Sequence, residues 1–150
     1  MDAGGNRVQG DLAGLLAEAP GSGDFYRGGL VAGSRETLAA WGVALTDLGR
    51  FTEPPASAGE APGLISPAGA IALARAARQQ LQADIGLGMV GVPGPEPSEG
   101  VAPGTVHVAL DDGLSARTGS LLYRPAPVET KRLGSLAALN LLRLHLLDAK

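Results

Sequence analysis

The chain has 150 residues, including 23 glycines, 11 prolines and no cysteine, and its formal net charge is −3. This length fits one domain with its own hydrophobic core. Nucleic-acid binding is not predicted, because an acidic chain with one Trp, two Tyr and two Phe lacks the basic surface and the stacking side chains that nucleic acids require. Without cysteine there is no disulfide or thiolate nucleophile. With no signal peptide and no apolar run of ~20 residues, we predict one soluble, cytoplasmic domain over residues 1–150 that does not bind membranes and has a loose start at 1–10.

The first predicted elements are short. Asp11 is placed to cap a helix over Leu12 to Leu16. Phe25 to Ser34 has the composition of a strand, but three of its residues are glycines. Glycines in a strand indicate close approach by another backbone or by a ligand.

Helical segments and a loop follow this strand. Ser34 or Arg35 opens a short helix that Gly42 ends, and Leu45 to Phe51 is compatible with another helical turn or two. Glu53 to Gly63 is a Pro/Ala/Gly loop without apolar periodicity.

The next segment is a longer helix. Ser66 followed by Pro67 predicts its start, because a hydroxyl cap followed by proline in the first helical position is favourable. This helix extends to about Gln82, with Ala70 and Leu73 on its inner face and Arg78 outside.

The central element is a buried strand that starts near Ile85. It carries bulky apolar residues and two glycines, Gly86 and Gly88, which leave space for whatever packs against that face. The segment Gly91 to Pro95 then ends the strand, because its prolines remove hydrogen-bond donors. A strand that stops in a Gly/Pro loop is either a ligand-binding edge of an α/β sheet or a structural turn.

A hairpin is predicted after the acidic loop Glu96 to Pro103. Thr105 to Leu110 alternates between apolar and other residues, which is typical of a strand. Asp111 to Gly113 is a turn signal, and Ser115 to Tyr123 supplies the antiparallel partner.

The chain closes with a leucine-rich helix from about Val128 to Leu147. Its predicted core-facing stripe consists of Leu133, Leu136, Ala137, Leu141, Leu144 and Leu147. A second row of leucines is predicted to lie on the far side, either buried under a loop or forming a self-association surface. That second row is Leu139, Leu142 and Leu146.

The inventory of reactive groups is small. His107 and His145 lie on different elements without metal-ligand spacing, so no metal site or cofactor is predicted. The two carboxylates Asp111 and Asp112 precede a glycine, which favours turn chemistry. Ser22 lies in a loop-like place and lacks an evident base.

Several stretches in collinear order resemble the carboxy-terminal domain of the competence/damage-inducible CinA family. They are Pro20-Gly21-Ser22, Phe25-x-x-Gly28-Gly29-Leu30-Val31-Ala32, Trp41-Gly42-Val43, Ile65-Ser66, Gly91-Val92-Pro93-Gly94-Pro95, Gly104-Thr105-Val106 and the closing helix. The resemblance implies a three-layer α/β/α fold with a mixed sheet, which agrees with the order of predicted elements. It also implies descent from nicotinamide-nucleotide amidohydrolases, which deamidate nicotinamide mononucleotide.

The chain departs from that family at the chemical positions. The family's E-S-C-T-G-G run, with its expected nucleophilic serine, falls on residues 5–10 and places Asn6 at the serine. The family's Y-S-N-x-x-K run falls on residues 33–38, where Gly33 replaces the tyrosine and Leu38 replaces the lysine. Val90 occupies a position at which the family has a threonine. Without a hydroxyl and a base, acyl transfer has no attacking group.

Three hypotheses follow. The first is a domain without catalytic residues that binds a small nucleotide-like ligand or a partner in a cleft. The residues predicted to line that cleft are Gly28, Gly29, Ser34, Gly91, Gly94, Gly104 and Thr105. The second is an active amidohydrolase that uses Ser22 or Ser34 with Lys131 or His107. The third is a homo-oligomeric structural protein that associates through Leu139, Leu142 and Leu146.

Overall fold

The structure is a computed structural model that describes residues 12–30, 35–43, 65–92, 101–122 and 127–148. Its elements in chain order are α1 (residues 12–18), α2 (Ser22–Phe25), α3 (Arg35–Ala40), α4 (Pro67–Gln80), β1 (Gly86–Gly91), β2 (Thr105–Asp111), β3 (Ala116–Leu122) and α5 (Pro127–Asp148). Of the helices in these ranges, none has the length and hydropathy needed to span a bilayer.

The three described strands form an antiparallel sheet in the order β1-β2-β3. Val90 lies opposite His107, which in turn lies opposite Ser120. The predicted hairpin is confirmed, and its second strand begins one residue later than expected. The last predicted residue of that strand, Tyr123, lies outside the described residues. All pairings among these strands are antiparallel.

Helices cover both faces of this sheet. One core cluster joins α4 to β1 and β2 through residues such as Leu73, Ala74 and Val90. A second joins α1 and α5 to the opposite face through residues such as Leu12 and Val108. The layers are therefore helix, sheet and helix, which confirms the predicted α/β class.

Helix α4 begins where the sequence predicts. The Ser66 hydroxyl accepts a hydrogen bond from the Gly69 N–H at 3.0 Å, and Pro67 occupies the first turn. Gly86 and Gly88 explain how closely this helix packs: a Cβ on either residue would overlap a backbone carbonyl of α4, that of Ala74 or Ala70. The predicted space beside these two glycines is thus filled by helix backbone.

The strand predicted over Phe25 to Ser34 is wrong for residues 25–30. Phe25 ends the short helix α2, and residues 26–30 have no regular secondary structure. Gly28 has a φ of +140°, which L side chains rarely adopt, and this departs from strand geometry. The rest of that segment, residues 31–34, lies outside the described residues, as do Asp11, Leu45 to Phe51, Glu53 to Gly63 and residues 1–10.

The predicted orientation of the last helix is also wrong in part. Leu136, Leu144 and Leu147 were expected in the core but are 47%, 40% and 51% exposed. Ala137 and Leu141 of the predicted stripe do pack against the second core cluster, but the buried positions of the helix carry small side chains. These buried residues are Thr130, Gly134, Ser135 and Ala138.

The reason is steric. A Cβ on Gly134 would lie 2.9 Å from Val106 Cγ1 and 3.2 Å from Met89 Sδ, so a leucine has no room on this line. Leu139, expected on the outer row, packs against the second core cluster. Leu142 is half-buried, whereas Leu146 is exposed.

Candidate functional site

A cavity of about 840 Å³ lies beside the start of β1. Its walls come from α1, residues 24–30, the carboxyl half of α4, residues 82–87 and the end of α5. Gly28 and Gly29, two of the predicted site residues, line it. Trp41 lines it as well, and this is the only tryptophan of the chain.

The lining of this cavity is apolar inside and polar at the rim. Leu12, Leu73, Ala76 and Met89 are buried lining residues, and Met89 is fully inaccessible. The charged and amide residues of the lining are exposed to solvent. These are Asp24, Arg27, Gln82 and Asp84.

Tyr26 adds a hydroxyl to the lining. A Cβ built on Gly29 would lie only 2.8 Å from Tyr26 Oη, so the absence of a side chain at Gly29 lets the hydroxyl rest on the backbone. Burial raises the pKa of Tyr26 above its ordinary value of 10.0. The phenol is therefore protonated at neutral pH and can donate or accept a hydrogen bond.

The other described members of the predicted cleft lie at the far end of β1. Gly91 closes that strand, about 17 Å from Gly86 at a rise of ~3.4 Å per residue. Gly91 is required by a close approach, since a Cβ there would lie 2.6 Å from the Thr105 carbonyl oxygen. Ser34 and Gly94 lie outside the described residues. The structure thus brings Gly28 and Gly29 together but does not bring them to Gly91.

Gly104 and Thr105 hold the backbone beside Gly91. The Val92 N–H donates to the Thr105 carbonyl at 2.8 Å, and the Gly104 N–H donates to the Val92 carbonyl at 2.7 Å. Gly104 has a φ of +90°, and the Thr105 hydroxyl donates to the Ala102 carbonyl at 2.8 Å. These contacts give both residues a structural role.

Of the predicted catalytic residues that the structure describes, Ser22 and His107 contact other groups, and Lys131 does not line the cavity. Ser22 Oγ donates to the Ala17 carbonyl at 2.9 Å. His107 Nδ1 lies 2.8 Å from Ser120 Oγ, a partner that sequence reasoning missed. The hairpin register is the signal that identifies this pair, because the turn at Asp112 and Gly113 places the two residues opposite each other. Neither residue of the pair lines the cavity.

The titratable side chains of the hairpin whose pKa values are shifted have structural roles. Burial lowers the pKa of His107 below its ordinary 6.5, so the imidazole is neutral at pH 7. Asp112 Oδ1 accepts the backbone N–H groups of Leu114 and Ser115 at 2.8 and 2.7 Å. The bonds from Ser115 and Leu114 lower the pKa of Asp112 below its ordinary 3.8, and they confirm the predicted turn chemistry.

Metal-ligating groups are not clustered in the described ranges. Within them, no group of three or more His, Asp or Glu side chains is placed to hold a metal ion. The buried carboxylate Asp111 is instead bound by Arg78, whose Nε donates to Oδ2 at 2.6 Å. Arg78 was predicted to face outward, and this contact corrects that expectation.

The fold and its core define a three-layer α/β domain of the kind found in competence- and damage-inducible proteins. Residues 8–146 match the model of the CinA C-terminal domain, and the chain belongs to that family. This confirms the resemblance drawn from the sequence.

Relatives and solved structures agree with the family match. A CinA-like protein of Frankia casuarinae is 37% identical over 71% of this chain and 23% of its own length. A relative from Desulforamulus reducens is 32% identical over 90% of this chain and 30% of its own length. The crystal structure of a CinA superfamily protein from Enterobacter cloacae superposes with a TM-score of 0.75 at 28% identity, covering 90% of this chain and 75% of that one. The chain thus spans less than a third of the length of these two curated relatives.

Proposed function

We propose that this domain binds a small ligand or a partner without converting it. The observation that carries the proposal is the environment of Leu38, which takes the place of the lysine in the family's Y-S-N-x-x-K run. Leu38 is only 2% exposed and belongs to the core cluster with Val43 and Leu73. A leucine packed in this way neither exchanges protons nor approaches a ligand, and amide hydrolysis by a serine requires a proton acceptor beside it.

The cavity beside β1 supports the binding half of the proposal. Its lining offers a carboxylate pair, a guanidinium, an amide and a phenol around apolar walls, and it contains no serine, lysine or histidine among the described residues. A largely apolar pocket with a few polar groups is the usual form of a small-molecule site. A nucleotide-like ligand is what the family resemblance leads us to expect, and the competition experiment described below tests whether this cavity accepts a phosphate.

The direct test is incubation of the pure protein with nicotinamide mononucleotide, with release of ammonia and of the deamidated nucleotide as the readout. A CinA domain that carries the E-S-C-T-G-G run serves as the positive control. We expect no turnover above the buffer rate. Steady deamidation that disappears in Ser34→Ala would overturn the proposal.

An amidohydrolase with a rearranged site is the alternative, and the same assay distinguishes it. Ser22 and His107 already bind Ala17 and Ser120, so this alternative rests on the family resemblance. If turnover appears, the comparison of Ser22→Ala, Ser34→Ala and Ser120→Ala identifies the nucleophile.

A second copy of the chain is the candidate partner that the last helix favours. Leu144, Leu146 and Leu147 are each at least 40% exposed near the end of α5, and exposed apolar patches mark association surfaces. Light scattering of the wild type and of Leu144→Glu tests self-association. A wild-type monomer that Leu144→Glu leaves unchanged would eliminate it, and Leu142→Glu tests the row predicted from sequence.

A further inference from the structure

The cavity beside β1 is asymmetric, and this asymmetry indicates the class of its ligand. We infer that it binds a molecule with an apolar body and a neutral or cationic head, and that it disfavours phosphate-bearing ligands. The inference rests on the proposal that the domain binds a ligand. Its test measures binding only, so the result does not depend on whether the domain turns over a substrate.

The depth of the cavity suits an apolar body. Leu12 of α1, Leu73 of α4 and the half-buried Leu142 of α5 are apolar lining residues contributed by three elements. Burial of apolar ligand surface is favourable by about 25 cal/mol per Å². A polar group placed at this depth would lose its hydration without a hydrogen-bond partner among these side chains.

The mouth of the cavity determines the head group. Its charged residues are exposed, so a head group meets them at the solvent boundary. Among the described lining residues, Asp24 and Asp84 contribute two carboxylates and Arg27 contributes one guanidinium, so the sum of these three charges is negative. This excess of negative charge repels a dianionic phosphate and attracts an ammonium group, whereas it has little electrostatic effect on an uncharged hydroxyl.

The cavity also contains its own reporter. Trp41 is the only tryptophan and lies in the lining, so all indole emission comes from one wall of the site. N-phenyl-1-naphthylamine is an uncharged apolar fluorophore that brightens when it leaves water and accepts energy from indole. Its saturable binding with quenching of Trp41 emission is the expected result.

Variants on two elements locate the probe. Leu142→Phe and Ala77→Leu each add volume to the lining, and we expect each to weaken probe binding by about tenfold, since every methylene excluded from apolar contact is worth roughly fourfold in affinity. Leu136→Phe on the outward side of α5 is the matched control and should bind like the wild type. Thermal unfolding and circular dichroism verify that each variant is folded. If Leu142→Phe fails to fold, Ala77→Leu provides the test.

Competition by molecules with one chain length and different heads tests the charge argument. Decanol, decylammonium and decyl phosphate, each used below its aggregation limit, compete with the bound probe. We expect decylammonium and decanol to displace it at concentrations roughly threefold or more below that of decyl phosphate at low salt. The double substitution Asp24→Asn and Asp84→Asn should remove this preference.

Three results would overturn the inference: absence of saturable probe binding, equal binding by Leu136→Phe and both cavity variants, or stronger competition by decyl phosphate than by decanol. Turnover of nicotinamide mononucleotide together with normal probe binding would refute only the proposed function. Failure of probe binding without turnover would refute only the inference about the ligand class.

Discussion

Arg78 Nε donates to Asp111 Oδ2 at 2.6 Å and so joins the carboxyl half of α4 to the last residue of β2. Asp111 is only 3% exposed, so this contact compensates a carboxylate that is removed from water. The contact lies beside the turn that contains Gly113. A Cβ on Gly113 would lie 3.3 Å from the Arg78 guanidinium carbon.

Loss of the Arg78 guanidinium should destabilise the domain. We expect Arg78→Met to lower the free energy of unfolding by roughly 2–4 kcal/mol, because it leaves a buried carboxylate unpaired. Arg78→Met combined with Asp111→Leu should recover much of that loss. Urea unfolding of the wild type, both single variants and the double variant measures the coupling, and purely additive effects would contradict it.

Substitution of the strand glycines should be severe. Gly88→Ala places a methyl group on the Ala70 carbonyl and must displace α4, so we expect a loss of about 3 kcal/mol or more. Gly14→Ala on α1 is the control, because a Cβ there meets nothing within 4 Å, and it should be stabilising by up to ~1 kcal/mol through helix propensity. Thermal unfolding of the two variants checks the contrast. Equal effects would show that α4 does not pack on Gly88.

Acid should weaken the hairpin through Asp112. Its folded pKa is depressed below 3.8 by backbone hydrogen bonds, so its contribution to stability is present above that value and is lost as the pH falls through the folded pKa. We expect Asp112→Ala to be less stable than the wild type at pH 7 and to lose less stability between pH 5 and pH 2. Melting temperatures across that range test this, and parallel curves for the two proteins would refute it.

His107 should produce a separate, milder pH dependence. Because burial lowers its folded pKa below 6.5, the unfolded chain takes up the proton first, and stability falls as the pH drops below about 6.5. His107→Gln should flatten the stability curve between pH 7 and pH 5. Ser120→Ala, which removes the 2.8 Å partner, should cost about 1 kcal/mol at pH 7. Unchanged slopes in His107→Gln would exclude His107 as the titrating group.

Self-association should depend on the outward face of α5. We expect Leu147→Glu to shift light scattering of a self-associated wild type toward the monomer, since it places a charge on a half-exposed apolar side chain. Leu139 lies against the core, so Leu139→Glu should instead unfold the domain. Circular dichroism separates these two outcomes, and a folded Leu139→Glu variant would contradict the packing described for α5.

Local chemistry made part of this fold predictable. The cap at Ser66, the proline that follows it and the turn at Asp112 and Gly113 all act through hydrogen bonds and dihedral preferences within a few residues. The family resemblance rests on the same short motifs in collinear order. Two of the predicted site residues, Gly28 and Gly29, line the cavity. Glycine is favoured at Gly28 by its φ of +140° and at Gly29 by the close approach of Tyr26 Oη.

The sequence alone therefore determined the family, the three-layer order and the position of the hairpin, because each depends on periodicity or on contacts along a short stretch of chain. Only the tertiary structure decided which face of α5 meets the sheet, that Arg78 reaches Asp111, and where the cavity lies. The leucines of α5 occur on all sides of the helix, so the hydropathy pattern does not indicate which face packs against the sheet. The choice is made by the tight approach of Gly134 to Val106, a contact between distant segments that no local pattern contains.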